Sequence, residues 1–166
     1  MSTMHKDFRD ILFALNEQGA KYLVVGGYAV SVHAEPRATK DLDLWIKTGT
    51  ENCLAVYKAL VAFGAPMAGM TPEDFNVRAQ TGFQIGVAPV RIDLLHEIDG
   101  VTFDEAWENR IEAVLDGDTP AQVISREDLL ANKLRSGRPR DLLDIEAIQE
   151  AGLAPKLPKS AADDVG

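Results

Sequence analysis

The chain has 166 residues, 46% of them hydrophobic and 26% charged, with a formal net charge of −9 and a pI near 4.8. A single domain of that size buries roughly 70% of its unfolded surface, so a sizeable core is available, and the acidic balance argues against broad, sequence-independent nucleic-acid binding. The lone cysteine, Cys53, excludes an internal disulfide and a zinc framework; no apolar run nears the roughly 20 residues of a membrane span and the N-terminus lacks signal-peptide order, so the sequence predicts a cytoplasmic protein with no membrane partner.

From Met4 to about Gln18, Phe8, Ile11, Leu12 and Leu15 recur at helical spacing, and Gly19 is placed to end the helix. His5, on its early turn, reads as solvated. The stretch Tyr22–Ile46 then reads as strand, Gly-Gly turn, short helix, loop and second strand. Side chains alternate along a strand, so Asp41 and Asp43 project from one face while Leu42 and Leu44 enter the core. Two carboxylates side by side repel unless a cation neutralises both, and hard oxygen ligands with room for water and phosphate suit Mg²⁺, with Mn²⁺ as the alternative. Upstream, glycines at the strand-to-helix turn Gly26-Gly27 let backbone N–H groups approach an anion at the positive end of the helix. His33 is expected to pack or cap at the end of that helix.

Thr50 is expected to cap a helix running to Phe63, with Leu54, Tyr57, Leu60 and Val61 on its buried face and Cys53 as packing. Thr71-Pro72 opens a short helix. Phe83–Val87 and Val90–Ile98 read as strands, the second placing Arg91, Asp93 and Leu95 on one face and Ile92 and Leu94 on the other. Neighbouring strands lie about 4.8 Å apart, so Asp93 on a strand beside Asp41 and Asp43 would share their metal or take a proton from an attacking hydroxyl. His96 is a weaker candidate for substrate contact. Phe103 and Trp107 are expected to fill gaps beneath the sheet, and Asp116-Gly117 between apolar runs predicts a hairpin. Ser125 to Asp128 has capping-box spacing and opens a helix carrying Leu129, Leu130, Lys133 and Leu134; Ser136 to Pro139 breaks it and a last helix comes next. Lys133, Arg135, Arg138 and Arg140 form the best anion patch of an otherwise acidic chain.

Gly26-Gly27 followed by Asp41-Leu42-Asp43 and a later strand carboxylate resembles the nucleotidyltransferase superfamily, which has a DNA polymerase beta-like fold, over roughly Tyr22 to Ile148. Within it, the chain looks most like small bacterial AbiEii-type and minimal nucleotidyltransferase-like proteins. The run from Leu130 to Ile148, with a lysine ahead of Arg138-Pro139-Arg140-Asp141 and Asp144, carries a second part of that likeness. The chain departs from the commonest form at Gly27, where many members carry serine, so a hydroxyl that would contact the triphosphate is missing.

The resemblance implies an α/β fold, a small mixed sheet flanked by helices with a C-terminal helix pair; the length fits one domain, taken over residues 1–154, and the composition of residues 155–166 predicts a flexible tail. The resemblance also implies a metal-dependent enzyme moving a nucleoside monophosphate from an NTP to an acceptor hydroxyl on RNA (tRNA included), protein or a small molecule. Asp41, Asp43 and Asp93 would hold Mg²⁺; Gly26, Gly27, Arg37 and Lys133 would bind the nucleotide; Lys133 would assist the chemistry, with Arg138, Asp141 and Asp144 holding it in place. The alternatives are a catalytically silent nucleotide- or partner-binding component of a toxin–antitoxin or phage-defence module, and an antibiotic-modifying enzyme. Neither the preferred base nor the oligomeric state is legible.

Overall fold

The structure, a computed structural model, describes residues 4–36, 39–76, 82–86 and 90–153. Six strands form one mixed sheet: β1 (Tyr22–Val25), β2 (Asp41–Ile46), β3 (Gly82–Ile85), β4 (Arg91–Leu95), β5 (Ile111–Leu115) and β6 (Thr119–Val123), in the spatial order β3-β4-β2-β1-β6-β5. β1 is buried along its whole length at the centre, antiparallel to β2 and parallel to β6. The pairing of β2 with β4 is parallel and brings the acidic residues of the two strands together: Asp41 stands opposite Arg91 and Asp43 opposite Asp93.

Helices α1 (Lys6–Glu17), α2 (Gly26–His33), α3 (Thr50–Phe63), α4 (Phe103–Asn109), α5 (Arg126–Ser136) and α6 (Pro139–Leu153) flank this sheet. Phe8, Ile11, Leu12 and Leu15 of α1 are buried as their spacing requires, and they join Tyr22, Leu23, Leu42, Leu44, Trp45 and Leu60 in one core. The period-2 pattern of β4 holds as well, with Ile92 and Leu94 inside and Arg91, Asp93 and Leu95 on the more open face. α5 and α6 pack on one another as the expected C-terminal pair, and both touch α2.

Several expectations shift in detail. His5 is exposed but not idle: it is the N-cap of α1, and its Nδ1 accepts the Asp7 N–H at 3.0 Å. Thr50 is the first residue of α3 rather than its cap. Gly49 takes the cap position at φ +123°, a conformation that side chains disfavour, and its N–H donates to Asn76 Oδ1 at 2.7 Å. Of α3's predicted buried face, Leu60 is inside, Leu54 and Val61 are exposed, and Val56 and Ala59 are buried in their place. The segment after Thr71 makes a 3₁₀ turn over Pro72–Asn76. β4 ends at Leu95, with Ile98 in an isolated bridge to Val101. Of the strand expected over Phe83–Val87, Val87 lies outside the described residues.

Phe103 and Trp107 pack against the core, as expected, without being fully enclosed. They are only partly buried, where Phe103 meets Trp45 edge-on at 5.1 Å and stacks on Trp107 at 5.8 Å. The Arg110 guanidinium lies 3.9 Å from the Trp107 ring centroid. α4 spans seven residues and buries only Ala106 fully, so its aromatics pack against the core while staying partly exposed, with Lys47 over Phe103 and Lys21 and Arg110 over Trp107.

Candidate functional site

The site grows from the carboxyl-bearing face of β2 and β4. Parallel pairing in register sets Asp43 beside Asp93, and α2 begins where β1 ends, directly against them. Gly26, the first residue of α2, sits at φ +69°, and a Cβ there would lie on the Asp43 carboxylate, 2.9 Å from its Cγ. Only a residue without a side chain lets the helix start come this close to the acid. Gly27 is tight for a different reason: a Cβ there would come 2.7 Å from Cγ2 of Thr39, which would have to shift. A serine at position 27 would thus crowd the Thr39 side chain. Among the described residues no side chain caps the start of α2, and Gly26 and Gly27 line the cleft, which sets the positive end of this helix beside it.

Electrostatics single out Asp43. Burial pushes its carboxyl up to about 6, the hydrogen-bonded Asp93 and the Asp41 charge push in the same direction, and Arg91 opposes them. Arg91 Nη2 donates to Asp41 Oδ2 at 2.9 Å, while its Nε stands 3.3 Å from Asp93 Oδ2. As they stand, the three aspartates are not a three-ligand cluster, and among the described residues no group of three or more His, Cys, Asp or Glu side chains is arranged to hold a metal ion. The donor set nevertheless suits a hard divalent cation. It is all oxygen, lies in one cleft, and contains a carboxyl pair whose mutual repulsion a cation would relieve.

The opposite wall comes from the helix pair. Lys133 of α5 is 8% exposed, and its Nζ donates to Asp144 Oδ2 at 2.9 Å and to Asp141 Oδ1 at 3.3 Å. Asp141 is fully buried and also accepts from the Arg138 backbone N–H at 3.2 Å and from Arg138 Nε at 2.8 Å. Burial would raise the Asp141 carboxyl, but the hydrogen bonds from Arg138 and Ser136 and the Lys133 charge outweigh it and hold it at about 2. Together these residues line a cleft of about 700 Å³ with Gly26, Gly27, Thr39, Lys40, Arg91 and Arg140.

The structure therefore brings together Gly26, Gly27, Asp41, Asp43, Asp93 and Lys133 in one cleft. Arg37 lies outside the described residues. Of the basic patch, Arg138 and Arg140 face the cleft, whereas Arg135 packs beside Gly100 and is not among the lining residues. His33 is turned away, its Nε2 donating to the Ile124 carbonyl at 2.8 Å, and His96 is buried with its carbonyl accepting from Trp45 Nε1 at 3.3 Å. Three lining residues, Thr39, Lys40 and Arg91, were not among the site residues expected from the sequence. Thr39 carried no signal, but Arg91 did: it shares its strand face with Asp93, two residues on.

No curated protein matches the sequence. Among solved structures, the fold is similar to that of the lincosamide antibiotic adenylyltransferase LnuA in its lincomycin-bound form (TM-score 0.56, 16% identity, 91% of this chain and 99% of that one). It is also similar to that of ANT(2″)-Ia in complex with adenylyl-2″-tobramycin (TM-score 0.54, 19% identity, 95% and 89%) and to that of TM1012 from Thermotoga maritima (TM-score 0.55, 12% identity, 86% and 90%). At these identities the likeness is one of fold. The model of a family described as a nucleotidyltransferase of unknown function, DUF6036, matches residues 3–154, nearly the whole chain, and the protein belongs to that family.

Proposed function

We propose that the protein transfers a nucleoside monophosphate from an NTP to an acceptor hydroxyl, with a divalent cation, Mg²⁺ or Mn²⁺, held by Asp41, Asp43 and Asp93. The observation that carries this reading is the register of β2 on β4, which sets Asp43 against Asp93 at the mouth of an uncapped helix whose first residue must be glycine. When bound, the cation would polarise the phosphoryl group and gather the triphosphate's charge.

The chain's own residues do the rest. The backbone N–H groups at Gly26 and Gly27 receive the phosphates. Asp93 accepts the proton of the acceptor hydroxyl as its oxygen bonds to the α-phosphorus, and the bond from that phosphorus to the bridging oxygen breaks to release pyrophosphate. Lys133, fixed by Asp141 and Asp144, and the exposed guanidinium of Arg138 lie on the wall where the leaving charge would be neutralised. The acceptor is RNA, protein or a small hydroxyl compound. The fold shared with two antibiotic adenylyltransferases supports including aminoglycosides and lincosamides among the compounds tested.

The test is incubation with each α-labelled NTP and Mg²⁺ or Mn²⁺ against those acceptor classes. Transfer is expected, and Asp43→Ala should lower it by at least about a hundredfold while the variant stays folded. A folded wild type that transfers nothing to any acceptor would overturn this reading in favour of a nucleotide- or partner-binding component of a toxin–antitoxin or defence module.

A further inference from the structure

Arg91 touches two of the three aspartates, yet the transfer chemistry gives it no role. It stands opposite Asp41 across the β2–β4 pair and two residues before Asp93 on the same face. Its grip is unequal. Nη2 makes a hydrogen bond of 2.9 Å to Asp41, whereas Nε, 3.3 Å from Asp93, has the distance of an ion contact without the alignment of a hydrogen bond. The side chains of Arg91 and Asp41 are each about one-third exposed to the cleft.

The charge count defines the consequence. Three carboxylates crowd one face, and among the described residues the guanidinium is the cation paired with them, because Lys133 is engaged by Asp141 and Asp144 instead. A guanidinium keeps its charge at any pH the protein survives, so it does not leave by losing a proton. Resting on the reading that these aspartates take a divalent cation, we propose that Arg91 is the resident counter-ion of the site. It holds Asp41 and Asp93 in place while no divalent cation is bound, competes with that cation for the same oxygens, and releases Asp41 when the cation enters. Arg91 is thus a positioning residue that sets how tightly the metal binds.

The test is equilibrium binding of Mn²⁺ alone, without nucleotide, to the full chain, with free Mn²⁺ counted by electron paramagnetic resonance. Arg91→Gln removes a positive charge within contact distance of the ion's ligands and is expected to bind Mn²⁺ about tenfold tighter than wild type, while melting at a lower temperature in EDTA. Arg91→Lys, which keeps the charge but loses the fork, should fall between the two, and it provides the measurement if the glutamine variant does not fold without metal. Equal or weaker Mn²⁺ binding by these variants, with wild type binding and Asp43→Ala not, overturns the counter-ion role and leaves the proposed function standing. Absence of binding by wild type and variants alike overturns the counter-ion role, and the transfer assay with NTP then decides the proposed function by itself.

Discussion

At the scale of single residues, the chemistry at Asp43 works against stability. Its carboxyl has a folded-state value of about 6, above its ordinary 3.8, because it is buried beside Asp93 and Asp41. The folded state therefore holds that proton more tightly than the unfolded one. The corresponding stability is full below pH 4 and lost as pH rises through about 6. Asp43→Asn, measured by thermal melting in EDTA, should be more stable than wild type at pH 7.5 by about 1–2 kcal/mol, equal to it near pH 4, and devoid of transferase activity. A second expectation concerns the missing serine. Gly27→Ser places a Cβ 2.7 Å from Thr39 Cγ2 and should cost about 1–2 kcal/mol in chemical denaturation, whereas Gly27→Ser with Thr39→Ala should recover most of it. Additive losses in that double-mutant cycle would show that Thr39 is not what excludes a side chain at position 27.

At the scale of elements, the α5–α6 pair is joined by a buried ion network rather than by leucines alone. Leu134, Leu142 and Leu143 are exposed, while Lys133, Asp141 and Asp144 are inside. Asp141 is held at about 2, below its ordinary 3.8, so its contribution is present above pH 4 and lost as pH falls through 2. Asp141→Asn removes a buried charge opposite Lys133 and Arg138 and should destabilise the protein by about 3 kcal/mol at neutral pH. The same variant should show a flatter stability profile than wild type between pH 4 and 2. An unchanged profile would mean that the pair is held together by packing alone.

At the scale of the whole molecule, a net charge of −9 surrounds one cleft in which Lys40, Arg91, Lys133, Arg138 and Arg140 meet the carboxylates of Asp41, Asp43, Asp93, Asp141 and Asp144. The basic and acidic side chains of the cleft offset one another, so the field of the whole molecule repels a long polyanion. Random-sequence duplex DNA should therefore show no mobility shift with the protein at about 0.15 M salt, where surface charges act over only about 8 Å. A shift that weakens steeply with salt would reveal a basic groove the described surface does not display. No helix among the described residues is long and apolar enough to cross a membrane.

The sequence by itself determined the strands at Tyr22 and Asp41, the faces of β2 and β4, the Ser125 cap and the C-terminal helix pair, because alternation, helical spacing and capping are local and depend on residues a few positions apart. It also marked the three aspartates and the glycine corner as one chemistry. Only the tertiary structure decided that Asp43, rather than Asp41, faces Asp93, that Arg91 lies against Asp41, that Thr39 comes close to position 27 and that Phe103 and Trp107 stay partly exposed. Each of those outcomes depends on how separate elements come into register and how much space is left between them, and no spacing along the chain records that.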